Sequence, residues 1–158
     1  RHLREQLPEH FGQSRPVAAL AAGVLGTTGV ESADMIRALA AHLHPDAIIA
    51  VDALACAELG RLGRTVQLTD TGITPGSGVG NDRAGLSRDT LGIPVAAIGL
   101  PTVIVAGGFS DDPRAEQMFV TPRDIDTVVR DAAKLIGYGI NLALHDGLTI
   151  GDVDMFLS

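Results

Sequence analysis

The stretch "DAIIAVDA", Asp46 to Ala53, is a continuous apolar run bracketed by two aspartates. An uninterrupted run, unlike an alternating one, predicts a strand buried on both faces of a sheet. Further runs lie on either side of it. Upstream, "PVAALAAG" (Pro16 to Gly23) has the same character. Downstream come "TVQLTD" (Thr65 to Asp70) and "IPVAAIGLPTVIVAGG" (Ile93 to Gly108). Helical patterns fill the gaps. Thr28 with Glu31 reads as a capping box, after which Ile36, Leu39, Ala40 and Leu43 recur at helical spacing until Pro45. "LACAELGRLG" (Leu54 to Gly63) predicts a short helix and "LSRDTLG" (Leu86 to Gly92) a helical turn. The longest helix starts with Thr121 as N-cap, Pro122 in the first turn and Asp124 closing the box. Its apolar face is Ile125, Val128, Val129, Ala132, Ile136, Ile140 and Ala143. Gly137 and Gly139 interrupt it and call for a closely packed neighbour. Residues 1 to 7 read as a helix end stopped near Pro8, "FSDDPRAEQ" as a surface loop, and "LTIGDVDMFLS" as a last short helix. Strands alternating with helices predict an α/β fold with a largely parallel sheet.

Composition narrows the function. The chain has 158 residues, enough for a single domain with its own core, and 46% of them are hydrophobic. Aromatics are only 3%, so the core is built from Ala, Val, Leu and Ile. Net charge is −7 and no basic cluster beyond Arg61 and Arg64 stands out, which argues against nucleic acid as a partner. No apolar run is long enough to span a membrane. The N-terminus lacks the apolar core of a signal peptide, and it begins on Arg1 with no initiator Met, so an upstream segment is expected. Cys56 is the only cysteine and reads as a small buried residue in a reducing compartment. His42, His44 and His145 read as helix-end residues favoured by the dipole, not as metal ligands.

In an α/β sheet, chemistry gathers beyond the carboxyl ends of the strands. Asp52 lies there in the predicted topology, between apolar neighbours. It is either the cap of a following helix or a carboxylate held for function. Asp70 holds the matching place one strand later, where a turn-forming aspartate is the plain reading. After it comes "TDTGITPGSGVGN", Thr69 to Asn81, with four glycines in thirteen residues. The spacing Gly76, Gly78, Gly80 fails the dinucleotide fingerprint, and no Lys-Ser or Lys-Thr follows for a phosphate loop. Asp70-Thr71-Gly72 spells the triplet of pepsin-like proteases, but those need two triplets or a dimer of all-β subunits.

Several long motifs carry a resemblance. "LTDTGITPGSGVGN", "DAIIAVDALA" before it and "TLGIPVAAIGLPTVIVA" after it closely resemble the germination protease family of spore-forming bacteria. "RPVAALAAGVLGTTGVESADMIRAL" and "FVTPRDIDTVVRDAAKLIGYGINLALH" resemble the same family, so the likeness runs through nearly the whole chain. It implies a three-layer α/β sandwich around a mostly parallel sheet, phosphorylase/hydrolase-like and similar to the hydrogenase-maturation endopeptidases. It implies an aspartic-type endopeptidase without a cofactor that degrades small acid-soluble spore proteins in the spore core. It also implies a zymogen with a propeptide and a homotetramer. The family's "AIDALAA" motif matches "AVDALAC" here, which assigns one catalytic carboxylate to Asp52. The second belongs to a "TPDALGP" motif after the family's first glycine-rich strand, which this chain does not contain. That first strand is expected to lie outside these residues. Asp70, Gly76, Ser77, Gly78 and Asn81 are expected to contact substrate. Thr74 replaces the family's usual His, and "GGFSDDPRAEQM" replaces a longer insertion. Two rival readings remain: a degenerate relative or fragment that binds partners without cutting, and a nickel-sensing maturation-type endopeptidase.

Overall fold

A computed structural model describes residues 5–6, 8–11, 14–80 and 83–157. The chain divides into two compact units, Ala21–Val129 and Arg1–Leu20 with Arg130–Ser158.

The larger unit holds the sheet. Strand β1 (Ile48–Cys56) pairs in parallel with β3 (Val95–Val105). Strand β2 (Gln67–Thr69) runs antiparallel along the first half of β3, and β4 (Phe119–Val120) runs antiparallel along its last residues. The order is β1-β3-β2, with β4 on the same side of β3 as β2. The sheet is therefore mixed, and the expectation of a largely parallel one is corrected. The connection explains it. A parallel return needs a crossover of a dozen or more residues, usually helical. The short segment from Ala57 to Val66 forms turns instead, so β2 starts from the end at which β1 stopped.

β3 contains Pro101, which has no N–H to give a ladder. The loss is harmless there. Ile48 N–H donates to the Pro94 carbonyl at 2.9 Å, so Pro94 and its alternates face β1, whereas Val95, Ala97, Gly99 and Pro101 face the other side. On that side Pro101 falls between β2 and β4, and its carbonyl accepts the Gly63 N–H at 2.7 Å.

One sheet face is packed. Helix α1 (Ser32–Leu43) places Ala33 against Ala50, Leu86 and Val95, with Ile36, Ile48, Ile73 and Leu91 around them. Of the predicted face of this helix, Ile36, Leu39 and Ala40 are half-buried, while Leu43 is exposed. The helix ends at His44, which takes left-handed backbone (φ 49°) and donates its N–H to the Ala40 carbonyl. The Thr28–Glu31 capping box is corrected. Thr28 closes a preceding turn, Leu25–Thr28, with its hydroxyl on the Val24 carbonyl, and Glu31 caps α1 without a side-chain bond. By contrast, the turn Arg88–Leu91 carries a full box between Ser87 and Thr90.

Three further expectations change. Pro16 to Gly23 forms no strand and stays largely exposed. Leu54 to Cys56 continue β1 where a helix was expected, because the eleven residues of β3 supply Val103 and Ile104 as partners. Thr121 does not cap the long helix α2 (Ile125–Leu144); its hydroxyl donates to the Thr102 carbonyl at 2.8 Å. The Asp124 carbonyl receives the Val128 N–H instead.

In the smaller unit, Ala132, Ile136 and Ile140 of α2 are half-buried and Ala143 is exposed. No atom lies within 4 Å of where a Gly139 side chain would start, so that glycine is not explained by close packing. The last helix, α3 (Ile150–Leu157), begins with Thr149 and Asp152 bonding each other's backbone N–H groups. The hydroxyl and N–H of Thr149 hold the Asp152 carboxyl below its ordinary range. Tyr138 on α2 donates its hydroxyl to Asp154 on α3, and Lys134 lies near both, its Nζ 3.9 Å from the Asp154 carboxylate and 5.8 Å from the Tyr138 ring centre. Among the described residues no helix is long and apolar enough to cross a membrane. The first helix end expected near Pro8 falls largely outside the described residues.

Candidate active site

Asp52 is the fifth of nine residues in β1 and is half-buried. Its mid-strand place removes the helix-capping alternative. It pairs with Gly99 on β3, which in turn pairs with Gln67 on β2, so the three form one row across the sheet. Gly99 is needed in that row: a Cβ there would lie 2.6 Å from Leu54 Cγ.

Strand alternation fixes what faces outward. Ile48, Ala50, Asp52 and Leu54 turn their backbone groups to β3, so those of Ile49, Val51 and Ala53 point to the open edge of β1. No described strand covers that edge. The Asp52 carboxylate turns toward it, and Oδ1 accepts the Ala53 N–H at 2.9 Å. Oδ2 makes no hydrogen bond among the described residues.

The glycine loop packs beside this strand. Its root is a two-way bridge between Ile73 and Leu86, with N–H to carbonyl distances of 2.9 and 2.7 Å. Gly76 has φ 74°, which lets the chain turn into the short 3-10 segment Ser77–Val79. That segment presses on β1: a Cβ on Gly78 would stand 2.6 Å from Ala55 Cβ and 3.3 Å from Ala55 N. Ser77 and Thr74 are exposed, and Asn81 lies outside the described residues.

Asp70 is elsewhere. It follows β2 directly and is level with Ala96, whereas Asp52 is level with Gly99. Two strand spacings across and three residues along separate them by roughly 14 Å. The two cannot share a proton. Asp70 lies instead on a shallow groove of about 270 Å³ with Arg88, Ala47, Pro94, Val95 and Ala96. Of these, Arg88 had no signal in the sequence beyond its place in a short turn.

Cys56 is half-buried and directs Sγ to the Glu58 carbonyl at 3.5 Å. Arg61 pairs with Glu58 at 3.1 Å. His145 Nδ1 accepts the Arg15 N–H at 3.3 Å. His42 and His44 are exposed. Among the described residues no group of three or more His, Cys, Asp or Glu is arranged to hold a metal ion.

An α/β chain with a carboxylate on a sheet edge, flanked by a glycine loop, matches a peptidase family by sequence comparison. The family model that matches residues 1–113 is described as germination protease, and the chain belongs to that family. Similar proteins include the germination proteases of Clostridium tetani, 36% identical, and Clostridium perfringens, 34% identical; each alignment takes in 100% of this chain, and 62% and 61% of those proteins. The germination protease of Caldanaerobacter subterraneus subsp. tengcongensis is 36% identical over 99% of this chain and 61% of its own length. The chain thus spans about three fifths of the length of the curated relatives it matches. The alignment to the first two runs over 199 positions against 158 residues here, so the relatives are longer within the matched span.

Proposed function

We propose that this chain is the Asp52-bearing part of an aspartic-type endopeptidase that degrades small acid-soluble spore proteins. The observation that carries this reading is the Asp52 carboxylate, held on an open strand edge with Oδ2 unengaged. Asp52 takes a proton from water at Oδ2 while the water oxygen attacks the scissile carbonyl carbon. A second, protonated carboxyl polarises that carbonyl and then protonates the leaving nitrogen as the C–N bond breaks, leaving an acid and an amine. Two acids at close range divide the work because both cannot ionise cheaply together. Asp70 is too far away to be the second. We assign it to a strand outside these residues, added along the open edge of β1, followed by the family's second aspartate.

The remaining expectations belong to the same reading. Gly76, Ser77, Gly78 and Asn81 line the substrate path, and the loop's amides face the peptide. Asp70 contacts substrate further along. A second layer covers the face on which Ile49, Val51 and Leu68 are exposed by 38, 52 and 74%, completing the three-layer sandwich. Activation from a zymogen, a homotetramer and the spore core as location follow from the family resemblance.

The test uses the full-length protein and a purified small acid-soluble spore protein. Asp52→Asn is expected to lower cleavage by about 10²- to 10⁴-fold with unchanged circular dichroism. Full activity in Asp52→Asn refutes the assignment. Should no preparation of the intact protein cleave, a partner-binding role without hydrolysis takes its place.

A further inference from the structure

We propose that Ala53 is a positioning residue for the reaction: its backbone N–H clamps Asp52 Oδ1 and leaves Oδ2 as the oxygen that receives the proton from water. This rests on the proteolytic reading of Asp52. A side-chain carboxylate on a strand is free to rotate unless something holds it. Ala53 is the residue that can, because its N–H points away from β3 and is not spent on the ladder. The 2.9 Å bond uses that spare donor. An added strand finds free edge groups at Ile49 and Val51, but at Ala53 the donor is taken and only the carbonyl is left to it.

Proline at position 53 removes this donor and no other. Since the N–H faces the open edge, no bond to β3 is lost. In the full-length protein, Ala53→Pro is expected to lower kcat about 10- to 100-fold while leaving KM within about twofold, as misplacement of a catalytic group does. Ala53→Ser and Ala53→Gly keep the amide and keep kcat within about threefold of wild type. Wild-type kcat in Ala53→Pro overturns the inference, as does an equal loss in Ala53→Gly. If Ala53→Pro does not fold, replacing Ala53 by lactic acid deletes the N–H alone, and the same criteria apply. A second readout needs no cleavage. In Asp52→Ala the Ala53 amide should exchange its hydrogen about tenfold faster or more, and an unchanged rate overturns the inference. Activity in Asp52→Asn would remove the proteolytic reading, whereas the exchange rate would still report the bond.

Discussion

Gly78→Ala is the sharpest perturbation of the loop beside Asp52. The added Cβ would stand 2.6 Å from Ala55 Cβ, 3.3 Å from Ala55 N and 3.4 Å from Ala55 Cα. Carbon atoms settle at about 3.5–4.0 Å, so the loop or the strand must give by about 1 Å. None of the opposing atoms can rotate away, because all belong to the backbone or are fixed to it. Overpacking of this kind costs about 1–3 kcal/mol. Urea unfolding should show a loss in that range with an unchanged m-value. Gly26 supplies the control: it lies in a short helical turn with nothing within 4 Å, so Gly26→Ala should be neutral or slightly stabilising. The double variant Gly78→Ala with Ala55→Gly removes the collision. A coupling of about 1 kcal/mol or more in the direction of rescue is expected, against a cost of about 0.5–1 kcal/mol for Ala55→Gly alone. A Gly78→Ala protein within about 0.5 kcal/mol of wild type would refute close packing as the reason for glycine there. The same clash means that lost cleavage in Gly78→Val reports packing first and substrate contact second.

Two further outcomes can be checked on the chain itself. Tyr138 is the only tyrosine and there is no tryptophan, so alkaline absorbance follows one group. Its hydrogen bond to Asp154 raises its pKa above the ordinary value of 10.0, with desolvation and the Asp154 charge adding to it. Stability from this bond is fully present below the unfolded value and is lost as pH rises through the folded one. Asp154→Asn should move the titration back toward 10; no movement would remove the link. Ser87→Ala breaks the box with Thr90 and should cost about 1 kcal/mol in urea unfolding, whereas Ser87→Asp, which keeps an acceptor at the cap, should lose less.

What could be read from the sequence was mostly what depends on neighbours along the chain. The apolar run from Asp46 predicts β1, and the run from Ile93 predicts β3, because each is long, β-branched and bounded by turn residues. α1 and α2 follow from their periodicity. What failed depends on partners distant in sequence. Leu54 to Cys56 have a helical look, yet β3 is long enough to keep them extended. Pro16 to Gly23 looks like a strand but pairs with none of the described strands. The direction of β2 is set by the length of the connection before it, not by its own residues. Within the candidate site, residue type and spacing pointed to the glycine loop but left Asp52 between a helix cap and a functional carboxylate, and its catalytic assignment rests on the family motif. The Ala53 amide was not, because a backbone donor leaves no mark in composition. The distance between Asp52 and Asp70 was equally hidden, since it depends on β3 lying between their strands.

Pro101 divides one flank of β3 into two stations that do not communicate through a shared ladder. The front station carries the Asp52 row, and the rear one carries β4 and the excursion before it. Growth or shrinkage of the rear segment then has no register to transmit forward. This is a modular joint: the excursion can be trimmed or extended while the geometry around the carboxylate stays where it was.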